Sequence, residues 1–297
     1  MTTLSRRRFL AATGRLGAAV LVAPALPGLV RATPLGGAAG IQLYAVKDSL
    51  AADPDATLRR VREIGFREVE TAGFASLSAR DFRRLLDTHG LTAPSAHLDF
   101  SAPEAAFEQG HDLGAQYAVS GSLRGLLPGT YSGGMTLEEA HRTAELANRL
   151  GEQARHAGLK YAYHNHHIEF ASDNGKVAYD VLLAETDPAL VRFEIDCGWM
   201  VIGGQSPAAY FARYPGRFPM IHVKDFLSGP RPGAAAFETY EYPGSELGAG
   251  IIDYRPIFAA AEKAGLEHYF VEQEGPFNRM SQLEAARQAY EYVAKLR

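Results

Sequence analysis

From residue 38 onward two hydrophobic patterns take turns along the chain. Runs of four to eight aliphatic, aromatic and β-branched residues occur at Ile41–Val46, Arg67–Thr71, Leu91–Leu98, Tyr117–Ser120, Leu159–His164, Val191–Asp196, Pro219–Lys224 and His268–Glu272. Their length and composition predict strands. After them come longer stretches with apolar residues three and four apart, which predict helices near 54–64, 78–89, 103–113, 136–157, 176–185, 206–213, 254–265 and 280–295. Several of these begin at a capping signal: Asp53-Pro54, Ser78 with Asp81, Thr136 with Glu139, and Ser206-Pro207. Gly65, Gly90, Gly114, Gly158 and Gly265 end five of them, four of these glycines being followed directly by an apolar residue and the next strand. That rhythm belongs to a parallel α/β protein. Eight strand–helix pairs within residues 38–297 predict one (β/α)8 TIM barrel domain. A doubly wound open sheet would want a glycine-rich phosphate loop after an early strand, and the sequence has none.

The first 32 residues follow another rule. Ser5-Arg6-Arg7-Arg8-Phe9-Leu10 precedes an apolar, small-residue run from Leu16 to Val30, and no acidic residue occurs before Asp48. A basic start, a short apolar stretch and a small residue at Val30-Arg31-Ala32 predict a signal peptide over 1–32. Its arginine pair resembles the twin-arginine export signal, which implies a periplasmic or otherwise exported protein. The apolar run is short and broken by Pro24 and Pro27, so no stable membrane insertion is expected. Five of the 30 basic residues lie in this segment, leaving 25 against 34 acidic ones, a net −9. A surface of that sign repels phosphate backbones, and no nucleic-acid partner is expected. Cys197 is the only cysteine and cannot form an intramolecular disulfide.

In a closed barrel, chemistry sits where the strands end on their C-terminal side. Four successive predicted strands end in ligand-type residues: His164, Asp196, His222 and Glu272. Alternation of side chains along a strand lets all four point inward, predicting a metal site of two imidazoles and two carboxylates. The nitrogen donors favour Mn, Co, Zn or Fe over Mg. His166 shares the face of His164, and Glu194 and Lys224 share the faces of Asp196 and His222. Glu194 is expected deeper, orienting a metal-bound imidazole. His97, Glu169, Trp199 and Lys224 are the candidates for substrate contact, and Glu70 is a further candidate for the pocket. Such a metal centre suits removal of a proton next to a carbonyl. A divalent ion stabilises the resulting negative charge, and a base moves the proton. Glu272 and His166 are the candidate catalytic residues.

Tyr-His-Asn-His on the fifth strand, Glu-Ile-Asp-Cys-Gly-Trp on the sixth, His-Val-Lys-Asp on the seventh and Val-Glu-Gln-Glu on the eighth resemble the xylose-isomerase-like sugar phosphate isomerase/epimerase superfamily. The resemblance runs from Ile41 to the C-terminus. It implies a metal-dependent isomerase or epimerase acting on a small sugar. In the ketose 3-epimerases of that superfamily the metal is held by Glu, Asp, His and Glu, and the fifth-strand Glu is one of two proton-transfer bases. Here His164 stands in its place. That departure keeps a second reading open: a lyase or hydrolase acting on 3-keto-glycosides through the same enolate chemistry, paired in function with a sugar oxidoreductase. A non-catalytic metal- or sugar-binding module is the alternative from another class. The Gly- and Pro-rich stretch 225–253 is expected to follow the seventh strand on the catalytic face, as a lid or a homodimer contact.

Overall fold

The capping signals read from the sequence are made in three dimensions. Asp53 Oδ1 accepts the Ala56 N–H at 3.0 Å, Ser78 Oγ accepts that of Asp81 at 3.1 Å, and Thr136 with Glu139 forms a reciprocal capping box. These helices lie on the outside of a closed barrel in a computed structural model that describes residues 37–129, 133–229, 242–275, 277 and 280–296. The signal segment expected over 1–32 lies outside the described residues, as does 230–241 of the long loop. Among the described residues no helix is long and apolar enough to cross a membrane.

The barrel strands are β1 (Gly40–Gln42), β2 (Glu68–Ala72), β3 (Thr92–His97), β4 (Tyr117–Ser120), β5 (Lys160–His164), β6 (Val191–Asp196), β7 (Met220–Val223) and β8 (His268–Val271). Each pairs in parallel with the next, and β8 closes on β1 through Gly40↔Phe270 and Ile41↔Val271. This is a single-domain (β/α)8 barrel. The first predicted strand is shorter than its hydrophobic run. After Gln42 the chain turns into a 3-10 helix at Leu43–Val46, because the Gln42 side chain accepts the Tyr44 N–H at 3.0 Å. Two short helices escaped the sequence pattern, Lys47–Ala52 and Cys197–Ile202. Both are too brief for a hydrophobic period to register.

Gly65 shows why the helix–glycine–strand rhythm holds. It ends the helix Pro54–Ile64 at φ +133°, and a Cβ there would stand 2.3 Å from the Tyr290 ring. That ring also meets Phe66 edge-on at 5.1 Å, so one aromatic of the last helix seals the first αβ turn.

Inside the barrel the side chains form layers. Tyr117, Val119, Ala162, Met220 and Phe270 make an apolar plug, each 0–1% exposed. Gly40 has no Cβ where one would lie 2.5 Å from the Phe270 ring, so the plug fills the space. One step further along the same inward faces come Glu70, Ser95, His164, Glu194 and His222, all buried. The plug is the dry floor on which a polar site rests.

Candidate metal centre

The register of β5, β6 and β7 decides who meets whom. His164 is level with Glu194, and Asp196 is level with His222. The four strand-end residues, although all inward, are therefore not at one height. His164 sits one inward step below Asp196, because a barrel's strands are staggered as they close. Side chains reach across the step. His164 Nε2 and His222 Nδ1 each lie 3.9 Å from Asp196 Oδ2, and His222 Nδ1 lies 3.0 Å from Glu272 Oε2. Ligand atoms of Asp196, His222 and Glu272 fall within 4.8 Å of one another, as do those of His97, His164, Glu194 and His222.

The second grouping backs the first. The other nitrogen of each ligand-type imidazole turns to Glu194, whose Oε2 is 3.0 Å from His164 Nδ1 and 3.3 Å from His222 Nε2. The His97 Nε2 stands 2.9 Å from the same oxygen and 3.3 Å from Glu70 Oε2. Glu70 in turn lies 2.5 Å from His222 Nε2, accepts the Gln42 amide at 2.9 Å and takes the Ser95 hydroxyl. When a carboxylate accepts one imidazole N–H, the other nitrogen is left as a lone pair. Glu194 and Glu70 therefore aim His164 Nε2 and His222 Nδ1 toward Asp196. Glu194 Oε2 thus stands between the two imidazoles, within reach of one nitrogen of each. His97, a candidate for substrate contact, turns its Nε2 into this carboxylate network while its side chain stays partly exposed.

Asp196 has two duties. Oδ1 accepts the Trp199 N–H at 2.8 Å and starts the helix Cys197–Ile202, while the buried Oδ2 has no aligned hydrogen-bond donor. Lys224 Nζ lies 3.0 Å from Oδ2 and 2.7 Å from Glu272 Oε2. A buried carboxylate oxygen without an aligned donor, two imidazole nitrogens and a second carboxylate form a donor set that fits a divalent ion. The residues that would hold it are His164, Asp196, His222 and Glu272. Asn165 holds the frame: its side chain accepts the Asp196 N–H at 3.1 Å and donates to the Asp196 carbonyl at 3.3 Å, tying β6 to β5 past their last ladder bond.

The electrostatics follow from burial and neighbours. Burial, with Glu70 close by, pushes the Glu194 carboxyl up to about 7. Burial works against protonating His97, but Glu70 and Glu194 outweigh it and raise it to about 10. His166 is brought down to about 4 by burial and by the Lys224 ammonium. Burial also disfavours charge on Glu272, yet Lys224 and His222 hold its carboxyl well below the usual range.

The mouth of the site corrects the expectation for Glu169 and places Trp199 and His166. Glu169 is buried, not open to substrate: it lies in the 3-10 turn Ile168–Phe170 and accepts the Tyr163 hydroxyl at 2.7 Å and the His166 N–H at 2.9 Å. It fixes the loop that carries His166, and burial raises it to about 7. Trp199 is 9% exposed and packs against Phe226 at 4.8 Å and His167 at 5.0 Å, forming a wall. His166 stands 5.2 Å from the His164 ring and 6.3 Å from Trp199. Beyond β7, Asp225 accepts four backbone N–H groups, from Phe226, Gly248, Gly250 and Ile252, and so pins both ends of the loop that follows. The network residues Gln42 and Ser95 carried no sequence signal, since a lone amide or hydroxyl is ordinary, and Asn165 and Asp225 stood in the quoted motifs without an assigned role.

The chain belongs to the xylose isomerase-like TIM barrel family, whose model matches residues 58–296. It is 27% identical over 263 residues to an inosose dehydratase of Lacticaseibacillus casei, which covers 77% of this chain and 85% of that one. The crystal structure of a sugar phosphate isomerase/epimerase from Parabacteroides distasonis superposes with a TM-score of 0.69 at 25% identity, over 87% of this chain and 94% of that one. The IOLI protein, crystallised with a bound zinc atom, shares the fold at a TM-score of 0.68 and 15% identity, over 88% and 98% of the two chains.

Proposed function

We propose that this protein is a metal-dependent lyase that removes water or an alcohol from the position β to the carbonyl of a cyclic keto-polyol or keto-sugar. The observation that carries this reading is the chemistry of the wall opposite Glu272. There β5 and its loop present the imidazoles of His164 and His166, with Glu169 turned away beneath Tyr163. Among the described residues, β5 and its loop turn no carboxylate into the site to serve as the second base of an epimerase. A single proton abstraction followed by loss of a neighbouring oxygen needs none. The likeness to an inosose dehydratase supports the same choice.

A divalent ion held by His164, Asp196, His222 and Glu272 supplies Lewis-acid charge for a carbonyl oxygen. Its nitrogen donors favour Mn, Co, Zn or Fe over Mg. Glu194 and Glu70 hold the imidazoles in place. His166, carried on the loop that Glu169 fixes, accepts the proton from the carbon next to the carbonyl, a transfer typically contributing ~10²–10⁴-fold. The electron pair of that C–H bond becomes the new double bond, and the neighbouring C–O bond breaks. Trp199 and Phe226 keep the wall of the site apolar.

Incubating the metal-loaded protein in D2O with inososes and with 3-keto-glycosides tests the reading. Appearance of enone absorbance, or release of the alcohol, is the expected result. Deuterium at the carbon next to the carbonyl with every oxygen retained would instead establish an isomerase or epimerase, the reading that the Parabacteroides distasonis likeness favours. We also propose export through the segment 1–32. A reporter fused to residues 1–35 should leave the cytoplasm, and should stay there once Arg6 and Arg7 become Lys.

A further inference from the structure

The Thr136–Glu139 capping box does more than start its helix, Leu137–His156. Capping needs one oxygen of the carboxylate, and Oε2 accepts the Thr136 N–H at 3.4 Å. Glu139 is also buried, only 3% exposed, and a buried carboxylate needs a charged partner. Arg124, on the loop 121–135 after β4, supplies it. Its Nε and Nη2 fork onto the two oxygens, the second bond at 3.1 Å, and its Nη1 donates to the Gly133 carbonyl at 3.0 Å. One guanidinium thus gathers the early part of its loop, the late part and the helix that follows.

From there the contacts lead to the site. The Met135 N–H donates to the Ile168 carbonyl at 2.9 Å and the Leu137 N–H to Asp173 Oδ2 at 3.5 Å, which ties the β4 side to the loop 165–177 after β5. Ile168 opens the 3-10 turn whose Glu169 accepts the His166 N–H at 2.9 Å and the Tyr163 hydroxyl at 2.7 Å. Burial raises the Glu169 carboxyl, and the Arg124 guanidinium is one of the groups that draw it back. Ahead of the turn, the His167 ring stands 5.0 Å and the His166 ring 6.3 Å from Trp199. Apolar residues of the same volume often hold a fold as well as a buried ion pair does. What a planar fork adds is direction.

We propose that Arg124 is a positioning residue for the wall formed by His166 and His167. Its fork on Glu139 holds Met135 in place, Met135 pins Ile168, and the turn Ile168–Phe170 keeps both imidazoles against Trp199. Without the fork the β4 loop releases Ile168, and the imidazoles move away from the indole. No metal ligand takes part in this chain of contacts. Where the wall stands does not depend on which reaction it serves, so a failure of the elimination reading leaves the role of Arg124 standing.

Trp199 is the only tryptophan, so its emission reports on this wall alone. Full-length wild-type, Arg124→Met, Arg124→Lys and Arg124→Met/Glu139→Met proteins are compared by acrylamide quenching of Trp199, by amide hydrogen exchange and by urea unfolding. Arg124→Met should speed exchange of the Met135 and His166 amides by about 10–100-fold, the effect of losing a charged two-bond contact, beyond any change shared with the strand amides of β4 and β5. Quenching of Trp199 should rise with it. Arg124→Lys, which keeps the charge without the fork, should fall between. The double variant puts an apolar pair in place of the ions and should unfold at the wild-type urea concentration, yet keep the fast exchange and the raised quenching. Slow exchange and low quenching returning together with stability in the double variant would overturn the proposal, because the pair would then only fill space. Exchange of Met135 and His166 within about twofold of wild type in folded Arg124→Met protein would overturn it too. Should Arg124→Met fail to fold, the double variant decides: fast exchange supports the role, and wild-type exchange refutes it.

Discussion

Glu194→Gln isolates what one buried oxygen does for the metal centre. Glu194 Oε2 stands 3.0 Å from His164 Nδ1 and 3.3 Å from His222 Nε2, so one carboxylate steadies two of the four ligands. Removing the partner of a single metal-bound imidazole typically costs about 10–100-fold in metal affinity. His222 keeps a second support in Glu70, 2.5 Å from its Nε2, whereas Glu194 is the carboxylate behind His164 Nδ1. The loss expected for Glu194→Gln is therefore a full increment for His164 and a partial one for His222, about 10²–10³-fold, or about 3–4 kcal/mol. Among the four ligands Glu70→Gln touches only His222, and it should cost about 10–100-fold. Gln preserves the shape of Glu194, so the far-ultraviolet circular dichroism should not change. Competition between metal-free protein and a fluorescent chelator for Zn or Mn gives the affinities directly. If Glu194→Gln binds within about twofold of wild type while folded, the imidazoles are held by packing alone and the reasoning fails.

Other expectations follow from the same geometry. Chelating the metal should lower the melting temperature in calorimetry by about 5–10 °C, since a ligand at a hundred times its Kd adds about 2.7 kcal/mol to a domain of this size. Glu169 is raised by burial to about 7 from an unfolded value of 4.5. Its contribution to stability is full below pH 4.5 and is lost as pH rises through 7. Glu169→Gln should remove that decline, on the order of 3 kcal/mol, from the difference between two urea-melt series. Gly65→Ala, at φ +133° and with its Cβ directed at the Tyr290 ring, should cost at least about 2 kcal/mol in urea unfolding. An unchanged midpoint would show that Tyr290 moves freely.

Local signals in the sequence reached far in this fold. Helix caps at Asp53, Ser78, Thr136 and Ser206 and the glycines after the helices depend only on near neighbours, so the barrel could be read almost element by element. Strand parity also selected the inward residues His164, Glu194, Asp196, His222 and Lys224, because alternation needs no knowledge of the partner strand. What it could not convey was stagger. His164 is level with Glu194 and not with Asp196 only because of how far each strand slides as the barrel closes. The pairing of Glu70 with His222 spans 152 residues and exists only after closure, as does the approach of His97 to Glu194. Glu169 misled for a different reason. A charged residue just past a strand end reads as a candidate for substrate contact, but a single 3-10 turn swings it beneath Tyr163.

The Asp225 carboxylate gives the catalytic face a property that its geometry alone does not announce. By gathering the N–H groups of Phe226, Gly248, Gly250 and Ile252, it closes the long loop at its base like a drawstring. The entropy of such a closure grows only with the logarithm of loop length, so residues added or lost between Leu227 and Gly248 cost little at the base. Lys224, just before the knot, need not move when the loop changes. The loop can therefore vary in length while the residues at the strand ends stay where they are. Changes of length beyond the knot would then leave the candidate metal centre below it undisturbed.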